Sequence, residues 1–267
     1  MSYDLKGKVA LITGGAVGIG FSCAKEILRF GAQAVVIIDI DETKGQLAAK
    51  ELAEEFGPEK VLFIKVDVTK SDELEDAIKK TISTWKKIDV MINNAAILND
   101  GLWELEIFIN INALVQGNLL GLKYMSKKTG GNGGVIINMS SIVALQATPA
   151  CPIYSGTKNF VIGFSRSLGD FYHYNRTGVK VITLCPGVTD TAQPAQAESS
   201  LSHFLFPELR NLFVKEVVNV PRQPASSVGL AATSLITKAN SGTVWVAEDN
   251  KPAYEIIFPD RTTLRKQ

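Results

Sequence analysis

The stretch Val9-Ala10-Leu11-Ile12-Thr13-Gly14-Gly15-Ala16-Val17-Gly18-Ile19-Gly20 begins as a short apolar run and passes straight into glycines. A run of that kind suits a strand buried on both faces. Beyond it, Ile19, Cys23, Ile27 and Phe30 recur at helical spacing. Glycines at 14, 18 and 20 permit a tight turn, close approach of the backbone to a pyrophosphate, and close packing of helix on strand. The sequence therefore predicts a strand, a glycine turn and a helix whose first N–H groups face an anion.

Working outward, residues 34–39 form a second apolar run that ends at Asp39, nineteen residues after Gly20. A carboxylate there accepts hydrogen bonds from both ribose hydroxyls of an adenosine and repels a 2′-phosphate. The glycine loop holds no Arg or Lys to receive such a phosphate. NAD is expected over NADP. Further apolar runs at 61–66, 90–93, 135–139, 179–185 and 243–246 alternate with amphipathic stretches at 42–56, 71–86, about 102–128 and 154–174. Alternation of this kind is the mark of βαβ units, whose right-handed crossovers give a parallel sheet. The expected fold is α/β, a doubly wound parallel sheet with helices on both faces, in a single domain over residues 1–267. Residues 191–224 carry the least pattern, and a loop of that length is expected to bind substrate.

Composition narrows the function. Lys+Arg number 28 and Asp+Glu 27, a net charge of +1, which argues against a nucleic-acid or polybasic membrane surface. No run of about 18 uninterrupted apolar residues suggests a spanning helix. Cys23, Cys151 and Cys185 are odd in number and widely spaced, as small core residues in a reducing compartment would be. The start of the chain lacks an apolar stretch after a basic one, so a cytoplasmic protein is expected. His173 and His203 have no ligand spacing, and no metal is expected.

Six separated motifs then agree: Thr13-Gly14-x-x-x-Gly18-Ile19-Gly20, Asp67-Val68, Asn93-Asn94-Ala95-Ala96, Ser141, Tyr154-Ser155-Gly156-Thr157-Lys158 and Pro186-Gly187-x-x-x-Thr191. In order and spacing they resemble the short-chain dehydrogenase/reductase family. Residues 124–141 resemble its NAD-dependent 15-hydroxyprostaglandin dehydrogenase branch, although Cys151 stands where those enzymes carry Gln. Residues 154–158 and 242–245 resemble its insect alcohol dehydrogenase branch.

The resemblance implies an oxidoreductase in which Tyr154 takes the proton of an alcohol, Ser141 holds its oxygen, and Lys158 and Asn112 carry the proton out. Tyr154 and Lys158, four residues apart, share a helical face. A neighbouring ammonium favours the phenolate, whose unperturbed pKa near 10 otherwise makes it a poor base at neutral pH. For the cofactor, the family pattern implies that Asp67 and Val68 receive the adenine, that Asn93 and Ala95 line the adenosine, and that Pro186, Gly187, Val188 and Thr191 close over the nicotinamide. Cys151, Phe204 and Phe206, apolar and near the catalytic groups or in the loop, are expected at an apolar substrate pocket. The expected substrate is a lipophilic or small secondary alcohol, or the matching ketone, and the family resemblance implies a homodimer or homotetramer. Two alternatives stay open: an NADPH-dependent carbonyl or 3-oxoacyl reductase, and a catalytically silent protein that keeps the fold for binding.

Overall fold

The structure, a computed structural model, describes residues 3–191 and 201–265. Eight strands form one sheet: β1 (Val9–Thr13), β2 (Ala34–Asp39), β3 (Val61–Lys65), β4 (Val90–Asn93), β5 (Gly134–Met139), β6 (Val179–Pro186), β9 (Val244–Ala247) and β10 (Tyr254–Glu255). Their spatial order is β10-β9-β6-β5-β4-β1-β2-β3, parallel throughout except where β10 runs against β9. β7 (Thr189–Asp190) and β8 (Gln223–Pro224) make a separate short pair. Strand β1 sits between β2 and β4, with Ala10 opposite Val35 on one side and Val90 on the other. The chain therefore winds away from β1 in both directions. The carboxyl ends of β1 and β4 leave a crevice at that reversal, which is where ligands bind in open α/β sheets.

The sheet is covered on both faces, which is why β1 reads as an unbroken apolar run. Side chains alternate along it with period two. Ala10 and Ile12 join a core with Cys23 and Ile27 of α1 (Gly18–Arg29) and with Val228, Ala232 and Leu235 of α9 (Ala225–Lys238). Leu11 points the other way, into a core with Leu74 and Ile78 of α3 (Ser71–Trp85) and Met125. Helix α2 (Glu42–Phe56) spans the residues its pattern predicts. All three cysteines are free and buried.

Three local features depart from the sequence expectations. The helix expected over about 102–128 is three pieces in line: α4 (Trp103–Ile107), a π-turn (Phe108–Ala113) and α5 (Leu114–Met125). Counted with the preceding turn, Asp100–Met125 is long and apolar enough to cross a membrane, which a search for uninterrupted apolar runs does not detect. Its buried face nevertheless carries Glu106, Asn110 and Asn118, and α5 packs on β4 and β5. Second, the single helix expected over 154–174 is α6 (Pro152–Leu168) and α7 (Phe171–Thr177), broken at Gly169. A Cβ on Gly169 would lie 2.5 Å from Gly242 N, so the backbones meet where the helix would have continued. Third, the segment 191–224, in its described part, holds α8 (Leu209–Val218) and β8. The tail packs on its own chain: Ile256 N donates to Val244 O at 2.8 Å, and the Arg166 guanidinium lies 3.9 Å over the Phe258 ring.

Candidate active site

A single cavity opens at the carboxyl ends of β1, β4, β5 and β6. At one end it is lined by Gly14, Gly18, Ile19, Asp39, Asp67, Val68 and Ala95. Gly14 adopts φ +62°, a left-handed conformation that favours glycine. A Cβ on Gly20 would stand 2.1 Å from Gly14 O, so only glycine lets α1 start this close to the turn. Gly20 itself does not line the cavity; its part is to hold the loop shut from behind. Asp39 accepts from Ala16 N at 3.1 Å and from Asp41 N at 3.1 Å, which fixes its carboxylate beside the loop. Asp67 is held by Thr69, whose hydroxyl and N–H both donate to it, and these bonds keep its carboxyl below the usual range.

The Asn-Asn-Ala motif divides its labour differently from the expectation. Asn93 is buried away from the cavity and donates to Asn138 Oδ1 at 2.8 Å, and Asn118 donates to the same oxygen at 2.9 Å. It joins β4, β5 and α5 and does not line the cavity. Asn94 does line the cavity, and its amide donates to Thr13 O and Gly14 O, both at 3.0 Å. Strand alternation explains the swap. Adjacent residues at a strand end point to opposite sides, so only one of the two can reach the glycine loop.

At the other end Ser141, Tyr154 and Lys158 line the cavity together with Pro186, Gly187, Val188 and Thr191. Ser141 follows β5 and caps a short turn, accepting from Val143 N at 3.4 Å. Lys158 is almost fully buried; its Nζ donates to Met139 O at 3.1 Å and lies 5.4 Å from the Tyr154 ring centroid. Burial lowers its ammonium to about 8. Burial also pushes the Tyr154 phenol above its ordinary value, opposed by a hydrogen bond from Ser141. The phenol is thus harder to ionise than a solvated tyrosine, because burial and the nearby Cys151 and Glu106 disfavour its anion.

Asn112, the expected relay asparagine, is exposed on the outer side of the π-turn and does not line the cavity. Asn110 is buried; it donates to Ile97 O at 2.9 Å, accepts from Ile97 N at 2.9 Å, and reaches Thr157 Oγ1 at 3.1 Å. The buried residues Glu106, Asn110, Ala113, Gly117, Gly121 and Met125 recur at helical spacing, and Asn112 falls off that face. That periodicity was the available signal.

The substrate end is also corrected. Cys151 and Phe204 are buried behind Tyr154 in a cluster with Phe213, whose ring lies 5.5 Å from that of Phe204; neither lines the cavity. Phe206 is 59% exposed, on the outside of the turn before α8. The wall is built instead from Leu98, Val143, Thr148, Phe213, Glu216 and Val217. Glu216 was not foreseen, since a lone Glu in a poorly patterned loop carries no signal. Its Oε2 is buried without a partner, and burial pushes its carboxyl upward.

The parallel sheet, the glycine turn at its reversal and the Ser-Tyr-Lys group at one cavity define a class that sequence comparison also identifies. A profile of the short chain dehydrogenase family matches residues 8–201, and the chain belongs to that family. Mouse 15-hydroxyprostaglandin dehydrogenase [NAD(+)] is 39% identical over 187 residues, covering 70% of this chain and 69% of the relative. Alcohol dehydrogenase 2 of Ceratitis rosa is 31% identical over 244 residues, covering 91% and 92%. Among solved structures, a short chain dehydrogenase/reductase from Burkholderia phymatum in complex with NAD superposes with a TM-score of 0.76 at 18% identity, covering 88% of this chain and 87% of that one.

Proposed function

We propose that this oxidoreductase is an NAD-dependent alcohol dehydrogenase, oxidising a lipophilic or small secondary alcohol with Tyr154 as general base. The observation that carries this is the convergence of Ser141, Tyr154 and Lys158 at one end of a cavity whose other end presents Gly14, Asp39 and Asp67. The far end fits a dinucleotide. Its loop glycine has the left-handed backbone a close phosphate approach needs, and its one carboxylate beside that loop suits a free ribose. When bound, NAD supplies the hydride acceptor and a positive charge.

The chain's own groups supply the rest. Ser141 donates to the substrate oxygen and orients it. Tyr154 removes the hydroxyl proton. The buried Lys158 ammonium, the only cation at this end among the described lining residues, draws the phenol toward ionisation and passes the proton on. Leu98, Val143, Phe213 and Val217 exclude water and favour an apolar body on the alcohol. The family relatives named for 15-hydroxyprostaglandin and for alcohol support a secondary alcohol on a lipophilic or short chain.

The decisive measurement is NADH formation from a panel of prostanoid, steroid, terpenoid and short aliphatic alcohols. Activity with NAD is expected, and Tyr154→Phe is expected to lower kcat by at least about a hundredfold, the usual contribution of a general base. A clear preference for NADPH would replace this function with a reductase. Absence of turnover with every alcohol and ketone would favour a binding protein.

A further inference from the structure

The helix that carries Tyr154 starts without a cap of its own. Cys151 stands at its N-cap and offers no side-chain acceptor. The acceptors come from a distant segment: Asp100 Oδ2 receives Ile153 N at 2.9 Å and Oδ1 receives Tyr154 N at 3.0 Å. Asp100 is fully buried, and so is a second carboxyl beside it, Glu106. Glu106 Oε1 accepts from Asn99 N at 3.2 Å, while Oε2 is buried and has no donor.

The two carboxyls are close neighbours: Glu106 Oε1 holds the N–H of Asn99, the residue before Asp100, and the buried carboxyls act on one another. Two ionised carboxylates cannot share such a site, and a hydrogen bond between them needs a proton on one. Both Asp100 oxygens already receive backbone N–H groups, as an anion at a helix start does. Glu106 has the oxygen without a donor, so the proton belongs there.

We propose that Asp100 and Glu106 are positioning residues for Tyr154, a carboxyl pair sharing one proton in which neutral Glu106 donates to ionised Asp100, which caps the catalytic helix. The role in catalysis rests on Tyr154 being the base; the cap and the shared proton do not. The other titratable groups near Glu106 are Lys158, whose ammonium favours its ionised form, and Tyr154 and Cys151, both disfavoured as anions by its charge. Burial is the main reason Glu106 holds its proton, and Asp100 adds to it. Loss of that proton places a second negative charge beside the phenol and weakens the cap, so activity falls on the alkaline side.

Three variants and two readouts independent of turnover test this. In the full-length protein at neutral pH, the infrared C=O stretch of a protonated carboxyl is expected and should vanish in Glu106→Gln. Hydrogen exchange at the Ile153 and Tyr154 amides is expected to accelerate at least about tenfold in Asp100→Asn, which cannot accept at both positions. With any alcohol that is turned over, Asp100→Asn should lower kcat about ten- to a hundredfold, a cost typical of a displaced catalytic group, with KM for NAD little changed. Glu106→Gln keeps the donor, so it should retain kcat within about twofold and show a shallower alkaline fall, the part due to Lys158 remaining, whereas Glu106→Ala should lose kcat. A missing carboxyl band in the wild type, a band that persists in Glu106→Gln, or unchanged exchange in Asp100→Asn overturns the proposal. If Tyr154→Phe keeps full activity while the band and the exchange behave as expected, the pair stands and only the assigned base is wrong.

Discussion

At the scale of single residues, one charge and one orphan atom set the character of the cavity. Asp39 is fixed by two backbone N–H donors beside the glycine loop, which holds its carboxylate in one place for the ribose contact proposed above. Glu216 is the less expected one. Its Oε2 is buried in an otherwise apolar wall with no partner, a state that costs roughly 1–3 kcal/mol for an unsatisfied polar group. Glu216→Leu is therefore expected to stabilise the protein slightly, seen as a raised melting temperature. The same change should lower KM for alcohols with a plain hydrocarbon chain, measured across a homologous series; a rise in KM for all of them would show the carboxyl contributes to their binding.

At the scale of elements, the π-turn carries the asparagine that joins two parts of the cavity wall. Asn110 within 108–113 bonds both Ile97 backbone groups and Thr157, tying the segment after β4 to α6. Asn110→Ala strands those partners in a buried site and is expected to cost about 1–3 kcal/mol in chemical denaturation, with a marked loss of kcat. Asn112→Ala, on the exposed side, should stay within about 0.5 kcal/mol of the wild type and keep its activity. Equal effects of the two would contradict the assignment of Asn110. This was the point where sequence and structure parted within one motif. Two asparagines in Ile-Asn-Ile-Asn look alike as residue types, and only the helical spacing of the buried residues, which takes in Asn110 and skips Asn112, tells them apart.

At the scale of the whole molecule, an apolar surface remains on the outer side of the same helices. Leu105, Phe108 and Leu119 on the α4–α5 run are exposed, as is Phe160 of α6, whose ring stacks on Phe164 at 5.6 Å. Exposed apolar side chains on two neighbouring helices suit contact with a second copy of this chain, as in the homodimer or homotetramer that the family resemblance implies. Leu119→Glu places a charge in that face and is expected to convert a dimer or tetramer into monomer, read by light scattering on a sizing column. A monomeric wild type at micromolar concentration would remove the proposal.

What the sequence determined by itself is everything carried by local period and local chemistry. Continuous apolar runs marked strands buried on both faces, Gly14 and Gly20 the tight turn, and Asp39 the end of β2 beside that turn. Each depends on neighbours in the chain, so β1, β2 and β4 have the expected ends. Tertiary structure alone decided which of Asn93 and Asn94 faces the loop, that Phe204 packs behind the wall and Phe206 outside it, and that Glu216 enters it. It alone joined Asp100 to a helix start 54 residues away. Those outcomes depend on which surfaces meet across the sheet, where burial and competition for hydrogen-bond partners, and no local pattern, select the residue.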